Sequence, residues 1–166
     1  MFRTSEFFYS RVINFILVTA IILSIIPFLV LCLYVHPHYD DYDFINKLSG
    51  KNIFEATKYW YDGWSGRYST IFVTNILSLF SDNIYIYRLY PILLMFLYVC
   101  SFFILIYGTL QQIPFRKALI FSLFFYVFYL YKIPEVTTNL YYMICSYVSS
   151  LGTIAFIFLL YILFLI

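Results

Sequence analysis

Apolar residues fill four long stretches of this sequence, and charged residues are confined to the segments between them. The uncharged stretches are 12–34, 89–110, 118–131 and 150–166. A helix that crosses a bilayer needs about 20 mostly apolar residues. The pattern therefore predicts an all-α membrane protein with about four transmembrane helices. Pro27 is expected to kink the first of them, which membrane helices tolerate.

The polar segment after the first stretch, His36–Arg67, is charged and aromatic, and we call it the island. Between His36 and Arg88 lie 11 of the 18 charged residues of the chain. Charged side chains are costly in the hydrocarbon core of a bilayer, so the island must face water. We expect it to form a large helical loop on the extracytoplasmic side.

Two short helices are predicted within the island. Asp40 or Asp41 can cap the first, which runs to Leu48 and stops at Gly50. The second is marked by the spacing of a capping box at its start, and a glycine ends it. Asn52 with Glu55 forms the capping box, the helix is predicted over Ile53–Asp62, and Gly63 is expected to end it. Aromatic residues crowd its end, which favours a helix lying along the membrane surface.

The segment Tyr68–Phe80 is apolar but shorter than a span. Its hydroxyl side chains fall on one helical stripe, formed by Thr70, Thr74, Ser78 and Ser81. This amphipathic pattern predicts a helix lying in the membrane interface. A helix that crosses the bilayer is the alternative, and it would invert the topology of everything that follows.

The placement of cations predicts the orientation. Arg3 and Arg11 precede the first span, and Arg116 with Lys117 stands in a short loop, so both segments are expected in the cytoplasm. The whole chain, 1–166, is predicted to be one membrane module. Its four spans are 12–34, 88–110, 118–131 and 150–166. The segments 35–87 and 132–149 are predicted to be extracytoplasmic, and the loop 111–117 cytoplasmic. Because the chain stops inside the last span, we expect it to be the N-terminal part of a longer protein.

Composition excludes several classes of protein. The chain is 64% hydrophobic and 11% charged, whereas soluble domains carry about 25% charged residues. The net charge of +2 and the scattered cations give no support for a nucleic-acid partner. Three cysteines without a CxxC pair indicate apolar packing rather than a disulfide framework or a zinc site.

The acidic cluster Asp40, Asp41 and Asp43 is the first candidate for chemistry. Carboxylates at the membrane surface can act as a general base or hold a divalent cation through oxygen ligands. Helix capping with ordinary solvation explains the same residues. His36 and His38 stand nearby, but two histidines alone are a weak metal signal.

Arginine supplies the second candidate chemistry, because its planar fork of donors suits phosphate oxygens. Arg67 follows Trp64 and Gly66, and Arg88 opens the second apolar stretch. The alternative is that both arginines anchor the chain at the membrane–water boundary. Glu135 lies on the same side as the island, where it can meet the island or pair with Lys132.

The order of these features resembles the GT-C class, multi-span glycosyltransferases that use polyprenyl-phosphate sugars. Asp40-Asp41 opens the first outer loop, Trp64-Ser65-Gly66-Arg67-Tyr68 follows the surface helices, and Tyr87-Arg88-Leu89-Tyr90-Pro91 opens the next span. The resemblance covers the N-terminal module of such enzymes and so nearly the whole chain. The later spans and outer loops that usually complete the donor site are missing here.

The resemblance implies transfer of a sugar from a polyprenyl-phosphate donor to an extracytoplasmic glycan or lipid acceptor, in a bacterial inner membrane and without nucleic acid. It implies Asp40 as the base and Asp41 as its partner. Residues for substrate binding are Arg67, Arg88, Tyr68, Trp64 and Glu135. No cofactor is certain and the use of a divalent cation stays open, since metal use varies within the class.

A second class of function fits the same composition. The chain can be a non-catalytic multi-span membrane subunit or a fragment of a polysaccharide transporter. A transporter of ions or protons would carry charges inside its spans, and the first, second and fourth apolar stretches have none. A scaffold is not excluded by this argument.

The orientation can be tested with single cysteines at Ser49 and Gln112 in a chain that lacks Cys32, Cys100 and Cys145. We expect an impermeant maleimide to label position 49 on intact cells and position 112 only after permeabilisation. The island would then face outward and the loop with Arg116 inward. The opposite labelling would overturn this topology.

Overall fold

A computed structural model describes residues 2–48, 50–63, 68–78, 83–110 and 112–166, with no strand in these ranges. The predicted all-α class is confirmed for this part of the chain. The helices are α1 (Phe2–Cys32), α2 (Tyr39–Leu48), α3 (Ile53–Gly63), α4 (Tyr68–Ser78), α5 (Ile84–Thr109), α6 (Phe115–Lys132) and α7 (Met143–Leu165), with a π-helical turn at Thr137–Tyr141 before α7.

Three helices of the described chain are long and apolar enough to cross a membrane: Val12–Cys32 within α1, Ile84–Thr109 and Cys145–Leu165. They confirm three of the predicted apolar spans at the level of length and composition. Helix α6 has 18 residues and carries Arg116, Lys117 and Lys132 near its ends, and it is not among these three.

All four long helices begin earlier than the apolar pattern indicates, α1 at Phe2 and α6 at Phe115, and the causes are clear for α5 and α7. Helix α5 starts at Ile84 rather than Leu89, because the side chain of Asn83 accepts a hydrogen bond from the Tyr85 N–H at 2.9 Å and caps the helix. Arg88 is therefore inside the helix and not before it. Helix α7 starts at Met143 rather than at residue 150, since its first turns pack against α5.

Contacts along the long helices show the direction in which each one runs. Helices α5 and α6 are antiparallel, because Tyr98 meets Tyr129 and Phe103 meets Phe115, with ring centroids 4.8 and 5.1 Å apart. Helices α1 and α6 are parallel, because Asn14 and Lys117 line one cavity while Phe28 meets Tyr131.

Helices α5 and α7 are also parallel. Their first turns meet through Tyr90 and Tyr147, and their last turns meet where Gly108 lies against the Tyr161 ring. Chain directions therefore alternate, with α1 and α6 running one way and α5 and α7 the other. We call the end of the bundle where α5 and α7 begin the capped end. We call the opposite end, which holds the loop between α5 and α6, the turn end.

Helices α2, α3 and α4 lie at the capped end, where α2 and α4 contact α7. The capping box of α3 is confirmed: the Glu55 N–H donates to Asn52 Oδ1 at 2.9 Å, and the Asn52 N–H donates to Glu55 Oε2 at 3.2 Å. Gly50 has φ of +78°, a left-handed conformation that glycine adopts without strain, and it stands in the turn between α2 and α3.

The hydroxyl stripe of α4 does not all face outward. Thr74 and its neighbour Asn75 are buried, and Asn75 Nδ2 donates to Thr57 Oγ1 on α3 at 3.0 Å. The described part of α4 has 11 residues and is about 16 Å long. The polar side of α4 therefore holds α3 and α4 together.

The main apolar core lies between α5, α6 and α7, towards the capped end. Its most buried large side chains are tyrosines of α5 and α6, namely Tyr87, Tyr98 and Tyr126. By contrast, much of α1 is exposed along its length. Helix α5 is thus the central helix, around which the other long helices are arranged.

The close approach of α5 and α7 gives a test of the parallel packing. A methyl group at Gly108 would overlap the Tyr161 ring, whereas a methyl group at Gly152 meets nothing within 4 Å. We expect Gly108→Ala to lower the free energy of unfolding in detergent by about 1 kcal/mol. This is the low end of the cost of overpacking, because the Tyr161 ring is at the end of a side chain that can move.

Gly152→Ala is the matched control and should be neutral or stabilising, since alanine favours helix over glycine. Replacing Tyr161 by Ala in the Gly108→Ala background should recover part of the loss. Equal stability of the two alanine variants would contradict the packing of α5 on α7.

Candidate functional site

Asp41 is a carboxylate that the fold buries. It lies in the first turn of α2, and the His38 N–H donates to its Oδ2 at 2.7 Å. His38 is thus the N-cap of α2, while Asp41 reaches back to it as the acidic member of a capping box does. Asp41 is only 2% exposed, which is rare for a carboxylate.

Aromatic contacts hold α2 in place over the capped end. The His38 ring lies on Tyr142, with centroids 4.5 Å apart. Tyr142 also packs against the pair formed by Trp60 of α3 and Ile71 of α4. One residue at the start of α7 therefore connects all three island helices to the long helices.

Beneath Asp41, tyrosines of α5 and α7 form a buried group that we call the tyrosine cluster, made of Tyr87, Tyr90, Ser146 and Tyr147. The Tyr90 hydroxyl and Ser146 Oγ are 2.5 Å apart, and the Tyr90 and Tyr147 rings meet edge to face at 4.7 Å. Helix α2, which carries Asp41, contacts α7, which carries Ser146 and Tyr147.

The hydroxyl group of Tyr147 is the next feature of this site. Its ring is 3% exposed, and its hydroxyl is buried without a hydrogen-bond partner in the part of the chain that the structure describes. A buried hydroxyl without a partner costs free energy. The Tyr147 hydroxyl is therefore available to donate a hydrogen bond to a bound group.

An apolar groove of about 560 Å³ runs beside the tyrosine cluster. Tyr90 and Tyr147 line part of it, and the remaining wall is Ile86, Leu89, Ile92, Leu93 and Phe96 of α5. Leu89, Leu93 and Phe96 are more than half exposed, so the groove opens on the outer surface of the helices. Its apolar lining can hold a hydrocarbon chain.

Arg88 lies in the second turn of α5, next to Leu89 in sequence, and is not among the residues that line the groove. It is half-buried, and its Nε has no hydrogen-bond partner among the described residues. Its role as a phosphate contact stays a prediction.

The other acidic residues of the cluster stand differently. Asp43 forms an ion pair with Lys47 at 2.5 Å, on the half-exposed side of α2. The hydrogen bond to Asp43 raises the pKa of Lys47 above its ordinary value, and Lys47 Nζ also lies 4.5 Å from the Trp60 ring centroid. Asp40 belongs to α2, but its side chain lies outside the described part of the structure.

The remaining predicted site residues do not join this group in the described structure. Tyr68 begins α4, is half exposed, and stacks on Phe72 with centroids 6.3 Å apart. Glu135 is exposed, and its side chain accepts a hydrogen bond from Thr138 at 3.3 Å, rather than from Lys132. Trp64 and Arg67 lie outside the described residues.

Glu135 serves the turn that precedes α7. It has φ of +52°, and its carbonyl oxygen accepts from the Asn139 N–H at 3.1 Å and from Thr138 Oγ1 at 2.9 Å. These local bonds close the turn. Within the described residues, no group of three or more His, Cys, Asp or Glu side chains is close enough to hold a metal ion.

Sequence reasoning missed the tyrosine cluster as a site. The one signal was the run of tyrosines before the last apolar stretch, which has the composition of a membrane interface. Nothing in that run shows that Tyr147 and Ser146 meet Tyr90, which stands 56 positions before Ser146.

Comparison with known protein families, with curated proteins and with solved structures finds no match to this chain.

The bond between Tyr90 and Ser146 can be tested on its own. Ser146→Ala removes a partner of the buried Tyr90 hydroxyl, so we expect it to lower the free energy of unfolding by about 1–3 kcal/mol. Tyr90→Phe removes the hydroxyl itself, and we expect a smaller loss of about 0.6 kcal/mol.

Unfolding in mixed detergent micelles is the measurement, and Tyr85→Phe, at a position that is 66% exposed, is the control. The double variant should cost less than the sum of the single variants, as expected for groups in contact. Strict additivity would show that the two hydroxyls do not interact.

Proposed function

We propose that this chain is the N-terminal module of a polyprenyl-phosphate-dependent membrane glycosyltransferase of the GT-C class. In this proposal the module has four spans, sits in a bacterial inner membrane and exposes its capped end to the extracytoplasmic side. The enzyme moves a sugar to a glycan or lipid acceptor at the cell surface.

The alternating chain directions support four spans. Because α5 and α7 run in the same direction, α6 has to carry the chain back along the same distance. Its 18 residues measure about 27 Å, close to the thickness of the hydrocarbon core. Its cations stand near its two ends, where long side chains can reach the aqueous boundaries.

The observation that carries the proposal is the meeting of three features at the capped end. The first feature is the buried carboxylate of Asp41. The second is the buried hydroxyl of Tyr147, which has no partner among the described residues. The third is the apolar groove on the outer face of α5. A lipid-linked anionic substrate needs a chain site, donors for its phosphate and a base close by. A scaffold subunit needs none of these.

The proposed mechanism assigns one task to each group. The polyprenyl chain lies in the groove on α5. Arg67, Arg88 and the Tyr147 hydroxyl hold the phosphate. Asp40 or Asp41 takes the proton of the acceptor hydroxyl as it attacks the anomeric carbon, and the sugar passes through an oxocarbenium-like transition state, as in other glycosyl chemistry.

Three substitutions separate the carboxylates. We expect whichever of Asp40→Asn and Asp41→Asn removes the general base to lower sugar transfer from a polyprenyl-phosphate donor by about a hundredfold or more, the usual loss for such a change. Asp41→Asn keeps an oxygen that can accept the bond from the His38 N–H, so α2 should keep its cap.

Asp43→Asn is the matched control, since Asp43 is held by Lys47, and it should retain most of the activity. The assay uses membranes that contain the full-length enzyme, with the amount of inserted protein measured for each variant. Loss in only one of the first two variants would identify the base. Normal transfer in both would remove the enzymatic proposal and leave a scaffold.

A further inference from the structure

A second groove lies at the turn end, away from the island, and has a volume of about 750 Å³. It is formed by α1, by the loop at 110–114 and by α6. Ligand pockets of proteins measure about 300–1,000 Å³, so the groove can hold part of a lipid molecule.

Polarity changes in one direction along this groove. The polar residues Asn14, Gln112 and Lys117 stand at the end nearest the loop, together with the apolar loop residues Leu110, Ile113 and Pro114. Leu17, Phe121 and Phe124 line the part further along α1 and α6. Because α1 and α6 run parallel, both helices pass from polar to apolar lining in the same direction. A phospholipid has the same order, with a polar head followed by a hydrocarbon chain.

Charge at the mouth of the groove favours an anion. Arg116 and Lys117 stand in the first turn of α6, which has no acidic residue. The N-terminus of a helix carries about half a positive charge from the helix dipole, so two cations placed there repel it. Lys117 lines the groove, so a phosphate there would be attracted by the dipole and by this side chain.

We infer that this groove binds an anionic phospholipid, with its phosphate at Lys117 and one acyl chain along Phe121 and Phe124. A second copy of the chain is a poorer occupant, because it would bury Lys117, Gln112 and Asn14 without supplying polar partners on an apolar helix face. The site is separate from the groove on α5, so it does not depend on the proposed transferase activity.

The test is native mass spectrometry of the purified chain in detergent with equal amounts of phosphatidylglycerol and phosphatidylcholine. We expect phosphatidylglycerol to be retained about fivefold more than phosphatidylcholine, which corresponds to about 1 kcal/mol for one cation at an anionic lipid. Lys117→Gln should reduce this preference severalfold, and Phe121→Trp, which narrows the groove, should reduce retention of both lipids.

Lys132→Gln is the matched control, because Lys132 is an exposed cation at the other end of the same helix. It should leave the preference unchanged. Equal retention of both lipids, or an equal loss in Lys117→Gln and Lys132→Gln, would overturn the site. Appearance of a dimer that Phe121→Trp abolishes, without retained lipid, would assign the groove to a second copy of the chain.

Discussion

The contact between the first turns of α5 and α7 is the constraint on which the rest of this structure depends. The bond between Tyr90 and Ser146 and the edge-to-face packing of Tyr90 on Tyr147 place both helices at the same level at the capped end. Since α5 and α7 then run in the same direction, the chain has to return along α6 before α7 begins. The same contact creates the buried surface on which α2 rests.

Polar groups inside this apolar protein are kept in pairs, which explains how its short helices are arranged. Thr57 and Asn75 hold α3 and α4 together, and Asp41 binds the N-terminus of its own helix. An unpaired polar group in apolar surroundings costs several kcal/mol, so such pairs fix the packing partners of a helix. The hydroxyls of Tyr126 and Tyr147 depart from this pattern in the described structure, and Tyr147 is the one of the two that lines the groove on α5.

The two grooves suit the two ends of a chain that works in a bilayer. Each has apolar walls, but their polar surroundings differ. The groove at the capped end is lined almost entirely by apolar surface, to which Tyr90 and Tyr147 contribute. The groove at the turn end meets cations and a helix N-terminus, which are suited to holding a phosphate.

The sequence by itself determined the all-α class, the three apolar helices and the local signals of α3, since these follow from the spacing of residues close together in the chain. The capping box of Asn52 with Glu55 and the start of α3 at Ile53 were predicted correctly. The tertiary structure alone decided that Asp41 is buried, that the polar side of α4 faces α3, and that α7 begins at Met143. These depend on contacts between residues far apart in sequence, such as His38 with Tyr142 and Tyr90 with Ser146, and helical periodicity shows which face of a helix is apolar but not which helix it will meet.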